Sequence, residues 1–227
     1  MGRENLAMYS EAYRSYDLSN RFLSLFTDSM IRKKAAEEAL ASGPRKILDI
    51  ATGTGDTALE LARLAYRRGV KAEIVAIDAS PLMLSVAKRK SSGSKGAKPR
   101  FETGDASSLK YSGETFDCAV CTFALKNLEL KSFAKESYRV LRKGGRLVIA
   151  DISAPEGRLN ALAFRIYLFY MRLFGLLSGK KLYRWLPGST CSFDKKGFME
   201  LMAANGFRLA RSRSFLFGIA YILCYTK

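Results

Sequence analysis

The apolar positions of the chain follow two alternating rhythms. Short runs rich in apolar and β-branched residues, at 46–51, 72–77, 100–103, 116–122 and 146–151, read as strands. Between them lie stretches with helical spacing. Residues 56–68 put Leu59, Leu61, Ala62 and Ala65 inward, 81–90 carry Pro81 in the first turn, and 130–141 end at Lys143-Gly144-Gly145. Strands alternating with helices predict a mostly parallel sheet with helices on both faces. Residues 195–205 read as a helix stopped by Gly206, and 208–216 with 220–226 as a closing hairpin about Phe217-Gly218. The pattern therefore predicts an α/β fold with seven strands and an antiparallel end. Residues 1–45 read as an N-terminal helical cap, 91–98 as a Gly/Ser/Lys loop and about 156–193 as a helical insertion after the fifth strand. Cap and sheet domain (46–227) make one domain overall.

The first strand runs into Leu48-Asp49-Ile50-Ala51-Thr52-Gly53-Thr54-Gly55-Asp56. Glycines there let the backbone turn tightly and approach a ligand at the C-terminal edge of the sheet, as in Rossmann-like folds. The second strand leads into Asp78, placed to accept both hydroxyls of a ribose. Gly53-x-Gly55-x-x-Ala58 with that acid also fits a dinucleotide fingerprint, so hydride transfer is the competing reading. Four features separate the two. Asp49, inside the strand, suits an ammonium group or its bound water. Asp56 stands at the helix N-terminus, where its charge would repel a pyrophosphate. Gly104-Asp105-Ala106 follows the third strand and offers a side chain and a backbone group to an adenine edge. The chain has neither a Tyr-x-x-x-Lys pair nor histidine to serve hydride transfer. A cofactor with no phosphate and a zwitterionic tail, S-adenosylmethionine, fits all four.

Composition narrows the chemistry further. The absence of histidine excludes His-based catalysis and His-ligated metal. Cys118 and Cys121 sit three apart in an apolar strand and so point to opposite faces, which leaves no metal site. Cysteine use fits a reducing cytoplasm, and Met1-Gly2-Arg3-Glu4 opens no apolar signal segment. With 38 Lys and Arg against 21 Asp and Glu, the chain carries a formal +17, which favours a polyanion such as nucleic acid or an anionic membrane.

The chain resembles the ubiquinone/menaquinone biosynthesis C-methyltransferase family over nearly its whole length. The resemblance rests on Tyr16-Asp17-Leu18-Ser19-Asn20, the glycine loop, Phe123-Ala124-Leu125-Lys126-Asn127, Arg139-Val140-Leu141-Arg142-Lys143-Gly144-Gly145-Arg146 and Tyr183-Arg184-Trp185-Leu186-Pro187-Gly188-Ser189. It implies a Rossmann-like, seven-stranded class I methyltransferase sheet, with Thr54, Asp78, Asp105, Ala106 and Thr122 against S-adenosylmethionine. Asp49, Ala51, Gly53, Gly55, Ala79, Met83 and Phe123 complete the expected cofactor set. Tyr16, Asn20, Lys126 and Asn127 would face the acceptor, with Lys126, Asn127 and Tyr16 as the catalytic candidates. The chain departs from the family in having Thr52 for a glycine, Lys126 for an arginine and Gly188 for a glutamate, and it lacks a His and a Trp around residues 30–34.

Methylation of a hydroquinone carbon needs a phenolate, so by this resemblance Lys126 would hold the phenolate or accept its proton. Asp105, Asp151 and Tyr16 are further candidates for the base. The stretch 158–193 contains no acid. Its apolar helical run 159–177 carries Arg158, Arg165 and Arg172 every seven residues, and Lys180, Lys181 and Arg184 follow. Arginines within the run would cost roughly 2.5–3.5 kcal/mol each near a bilayer centre. The segment therefore suits the plane of an anionic membrane at its inner face, or a lid packed on the domain or on a second subunit of a homodimer. A methyltransferase acting on RNA, protein or another small molecule is the alternative. No RNA-binding module or Asn-Pro-Pro-Tyr-like motif supports it.

Overall fold

The computed structural model describes residues 16–24, 26–93, 98–155, 157–179 and 181–227. Helices α1 (Tyr16–Leu23) and α2 (Asp28–Leu40) precede β1 (Lys46–Ile50), α3 (Asp56–Arg67), β2 (Glu73–Asp78), α4 (Pro81–Ser92), β3 (Arg100–Thr103) and β4 (Phe116–Thr122). A short 3₁₀ turn over Leu125–Asn127 leads to α5 (Leu130–Val140) and β5 (Leu141–Ile152). Helices α6 (Arg158–Ser178), α7 (Lys181–Ser192) and α8 (Lys195–Ala204) come before β6 (Arg208–Phe215) and β7 (Ala220–Thr226).

The seven strands form one sheet in the order β3-β2-β1-β4-β5-β7-β6. The first five are parallel; β7 runs antiparallel to both β5 and β6. The expected sheet and its antiparallel end are both present, with β7 between β5 and the edge strand β6. Chain direction reverses between β1, which leads outward to β2 and β3, and β4, which starts the other half. A parallel sheet opens a crevice at such a switch point, beyond the carboxyl ends of the strands.

Central strands covered on both faces read as continuous apolar runs. Ile47, Leu48 and Ile50 of β1 are wholly buried, and so are Ala119 and Val120 of β4. Cys118 and Cys121 divide between the two faces as strand geometry requires: Cys118 packs with α2 and α3, Cys121 with the α5 and α8 side. In α3 the inward face is Ala58, Leu61, Ala62, Leu64 and Ala65, whereas Leu59 is only half-buried. Leu59, expected inward, stands at the border of that face beside the half-buried Glu60. The edge strand β6 is exposed along almost its whole length. Arg211 and Arg213 there reach Glu38 of α2 at 3.0 and 3.5 Å, and a charged edge of this kind resists further strand pairing.

The insertion is two helices rather than one. Helix α6 matches the expected apolar run, but α7, with Pro187 inside it, was not anticipated. The two pack closely where Gly175 leaves no room: a Cβ there would lie 2.5 Å from the Tyr183 carbonyl oxygen. Met171, Leu182 and Tyr183 then form a third core cluster with Leu23 of α1 and Met83 of α4. Tyr170 adds a hydrogen bond from its hydroxyl to the Phe22 carbonyl, 2.6 Å. Residues 91–92, expected in a loop, extend α4, while 94–97 lie outside the described residues. So do residues 1–15, Lys180 and the side chain of Arg158.

Candidate functional site

The segment leaving β1 makes three left-handed turns in five residues: Ala51 (φ 56), Gly53 (φ 58) and Gly55 (φ 84). At Gly55 the fold also demands the missing side chain, because a Cβ would come within 2.8 Å of Ala87 Cβ and 3.0 Å of the Phe101 ring. Space is open where a Cβ would stand at Gly53, so the backbone there is free for close approach by a ligand. Asp78 secures the loop from the next strand. Its carboxylate accepts from the Gly53 and Ser80 amides, both at 2.8 Å. Burial pushes the Asp78 pKa up, and those two amides oppose the shift.

Beneath the loop, Asp49 is fully buried within β1 and accepts from the Thr52 hydroxyl at 2.6 Å. Burial raises its pKa to about 7, against the Thr52 hydrogen bond and the charge of Arg32. An acid held at that value inside a strand is poised to ionise when a cation arrives.

A narrow cleft opens over the loop. Ala51, Gly53, Thr54, Asp78, Met83, Thr122 and Phe123 from the expected cofactor set line it. Asp49, Gly55, Ala79, Asp105 and Ala106 do not. Asp105 is exposed and caps its own turn, accepting from the Ser107 amide at 2.9 Å, while Ala106 turns into the core. Asn127, expected at the acceptor, lines this cleft instead, because the 3₁₀ turn after β4 rotates it toward the loop. Asp56 is likewise not the bare acid expected. Lys90 pairs with it and with Asp17 (2.9 Å), and Asp17 accepts from the Thr54 hydroxyl at 2.5 Å. Lys90 thus offsets the repulsion that Asp56 would exert on a phosphate, and the network fastens α1 to the glycine loop.

A second, larger cavity of about 550 Å³ adjoins the cleft. Its walls are mostly apolar, among them Leu23, Ile31, Ile152, Met171 and Ile219, with Asn20 of the opening motif among its few polar residues. Tyr16, Arg32 and Phe123 border both spaces. Phe123 is itself left-handed (φ 55), and strained residues of this kind concentrate at functional sites. Tyr16 is half-buried, and its pKa is raised by desolvation against the charge of Arg32. It is therefore a proton donor at neutral pH and not a base.

Lys126 borders the larger cavity but is not solvated. Its ammonium lies 2.6 Å from Asp151 Oδ1, with the side chains only 6% and 1% exposed. Asp151 also accepts from the Leu125 and Ile152 amides at 3.0 and 2.8 Å, so its oxygens are already engaged. This pairing argues against either residue as the free base and for a fixed positive charge at the cavity wall.

Two lining residues escaped the sequence reading. Asp28, buried at the start of α2, is the sole carboxylate among the described residues lining the larger cavity; it accepts from the Ser24 hydroxyl at 2.9 Å. Arg32 stands one turn on. In sequence Asp28 is a polar residue among Thr27 and Ser29, and Arg32 stands in a basic run with Lys33 and Lys34, so neither is marked as inward. The available signal was spacing, since Asp28, Ile31, Arg32 and Ala35 share the inner side of α2.

Comparison with known proteins agrees with this architecture. The model of the ubiE/COQ5 methyltransferase family matches residues 4–227. A demethylmenaquinone methyltransferase from Deinococcus radiodurans is 41% identical over 218 residues, covering 94% of this chain and 88% of the relative. One from Thermus thermophilus is 38% identical over 220 residues, covering 95% and 97%. Among solved structures, magnesium protoporphyrin IX methyltransferase from Synechocystis superposes with a TM-score of 0.64 at 19% identity, over 96% of this chain and 97% of that one, a likeness of fold.

Proposed function

Because this chain belongs to the ubiE/COQ5 methyltransferase family and is an S-adenosylmethionine-dependent methyltransferase, we propose that it methylates a ring carbon of a prenylated hydroquinone such as demethylmenaquinol. The observation that carries this reading is the pair of adjoining spaces. One is built on the glycine loop and carries polar groups such as Thr54, Asp78 and Thr122 in its walls; the other is predominantly apolar and large enough for a quinol ring with part of its tail.

The loop fits the cofactor. Asp78 suits the ribose, Thr54, Met83 and Thr122 suit the cleft walls, and Asp49 answers a cationic tail from below; Ala51, Gly53, Gly55, Ala79, Asp105 and Ala106 shape the same sheet edge. When bound, S-adenosylmethionine supplies an electrophilic methyl group on a cationic sulfur. The chain's own residues act on the acceptor. Asp28 takes the phenolic proton, and the Lys126 ammonium, held by Asp151, attracts the resulting oxyanion. Tyr16 and Phe123 fix the ring at the border between the spaces, and Asn127 supports that border from the cleft side. In the net reaction the acceptor exchanges one ring hydrogen, released as a proton, for the methyl group. Charge cancels as the bond forms, so dry apolar walls favour transfer.

A lipophilic acceptor resides in a membrane, and the exposed side of α6 suits one. Leu162, Ile166, Phe169, Leu173, Leu176 and Leu177 form an outward apolar stripe, with exposed Arg165 and Arg172 along one border. Residues Asn160–Ser178 are long and apolar enough to cross a bilayer, yet Phe164 and Met171 on the opposite side pack against protein. The reading is a helix lying in the plane of an anionic leaflet. Ile166 of this stripe and the exposed Phe217 of the β6–β7 turn also line the larger cavity, which supports a cavity mouth facing the lipid. Cosedimentation with vesicles tests it. Stronger binding to phosphatidylglycerol than to neutral lipid supports docking, while equal binding, or a dimer that hides the stripe, refutes it.

The test of function is transfer of labelled methyl from S-adenosylmethionine to a chemically reduced quinone extract and, separately, to total RNA. Label in a single prenylated quinol supports the proposal; label in RNA alone overturns it.

A further inference from the structure

Arg32 is the cation in the wall between the two spaces. Its Nη1 donates to the Thr57 hydroxyl at 2.8 Å and to the Thr122 hydroxyl at 2.7 Å, and those hydroxyls lie 2.7 Å from each other. The guanidinium carbon stands 4.9 Å from the centre of the Phe123 ring. All of these partners are neutral. Among the described residues no carboxylate lies within ion-pair distance of Arg32, and its buried Nε has no hydrogen-bond partner. A fork of five donors fixed on one side and unmet on the other is shaped for a planar anion.

We propose that Arg32 binds the α-carboxylate of the cofactor's amino-acid tail, opposite the Asp49 that answers its ammonium. The assignment rests on the cofactor and not on the identity of the acceptor. Three observations favour the tail over an acceptor oxygen. Thr122, at the end of β4, anchors Arg32 and lines the cleft but not the larger cavity, and its partner Thr57 lies in the first turn of α3. The N-terminus of α3 adds a positive potential there. Lys126 already supplies a cation to the acceptor space. Arg32 in the cleft wall and Asp49 buried beneath the glycine loop then present opposite charges on two sides of that loop, complementary to a zwitterion and indifferent to the adenosine end.

The test is calorimetric binding of S-adenosylhomocysteine and of 5′-methylthioadenosine, which lacks the amino-acid tail, to the wild-type protein, Arg32→Met and Arg32→Lys. Arg32→Met is expected to weaken S-adenosylhomocysteine about 10- to 100-fold and to leave methylthioadenosine unchanged. Arg32→Lys keeps the charge without the fork and is expected to fall between, so it reports even where Arg32→Met folds poorly. Unchanged binding of S-adenosylhomocysteine overturns the assignment, as does equal weakening of both ligands. A variant that binds S-adenosylhomocysteine normally and fails only with the quinol would move Arg32 to the acceptor.

Discussion

Replacing Lys126 by methionine removes one half of a buried ion pair and leaves the other. The two side chains are almost inaccessible, and their charged atoms stand 2.6 Å apart. Breaking a buried pair from one side costs about 3–5 kcal/mol, because a carboxylate stays behind without its counter-charge. Asp151 would keep the Leu125 and Ile152 amides, which favours the lower end, about 3 kcal/mol. For a chain of this size that corresponds to a fall in Tm of roughly 6–12 °C. Removing both charges in Lys126→Met/Asp151→Asn should restore most of the loss, to within about 1 kcal/mol of wild type, since the apolar surroundings tolerate a neutral pair. Urea unfolding of the four proteins measures this cycle. A single variant within about 0.5 kcal/mol of wild type, or a double variant as unstable as the sum of the singles, would refute the reasoning. If Lys126 also holds the acceptor oxyanion, the double variant should fold, bind S-adenosylhomocysteine as wild type does, and turn over about 100-fold more slowly.

Asp49, with its pKa raised to about 7 by burial, is protonated in much of the ligand-free protein at neutral pH. A bound ammonium favours the carboxylate, so S-adenosylhomocysteine affinity should rise as pH increases through about 7, and Asp49→Asn should flatten that profile in calorimetry. Because the folded form holds this proton more tightly than the unfolded chain, the ligand-free protein should lose stability at this group as pH climbs toward 7, whereas Asp49→Asn should not. Gly55→Ala combines a left-handed backbone (φ 84) with a 2.8 Å approach to Ala87, and should cost about 2–4 kcal/mol in urea unfolding; a change below about 1 kcal/mol would mean that the loop relaxes freely. Asp28→Asn should lower kcat at least tenfold with S-adenosylhomocysteine affinity intact, and rising pH, which ionises the quinol without help, should narrow the gap; a pH-independent deficit would remove Asp28 as the base.

The sheet was legible because its signals are local. Parallel strands covered on both faces need apolar runs, and the glycine loop needs residues that tolerate left-handed turns. The parts that stayed hidden depend on tertiary geometry. Nothing in the segment around Phe123 and Lys126 announces that Lys126 will fold back onto Asp151, because the partner is 25 positions away on the next strand. Lys90 neutralises Asp56 from a different helix, so the acid that seemed to exclude a phosphate is half of an ion pair. Helix α7 escaped notice because Pro187 and Gly188 in its middle read as a break, whereas its packing against α6 holds the helix together. Arg32 and Asp28 were obscured for a related reason: a polar residue on a helix looks solvated until the element facing it is known.

The division of polarity across the wall bears on why one chain needs both spaces. A sulfonium and a phenolate attract each other in any solvent, but in water each is also well hydrated, and that hydration must be shed before they react. In the proposed arrangement Arg32 in the cleft wall and Asp49 beneath the glycine loop hold the zwitterionic tail by opposite charges, leaving the reacting end free of strong partners. Across the wall, the described residues lining the larger cavity carry charge at Asp28, Arg32 and Lys126 alone, in a lining that is otherwise neutral and largely apolar. Of these, Arg32 is anchored to cleft-side threonines and Lys126 to Asp151. The one charge not fastened to another ion or to the far wall is Asp28, beside the Ser24 hydroxyl. In the proposed reaction proton removal falls to Asp28, while the cations held in place set the potential in which the phenolate forms. On that proposal, this separation stands in for the histidine the chain does not have.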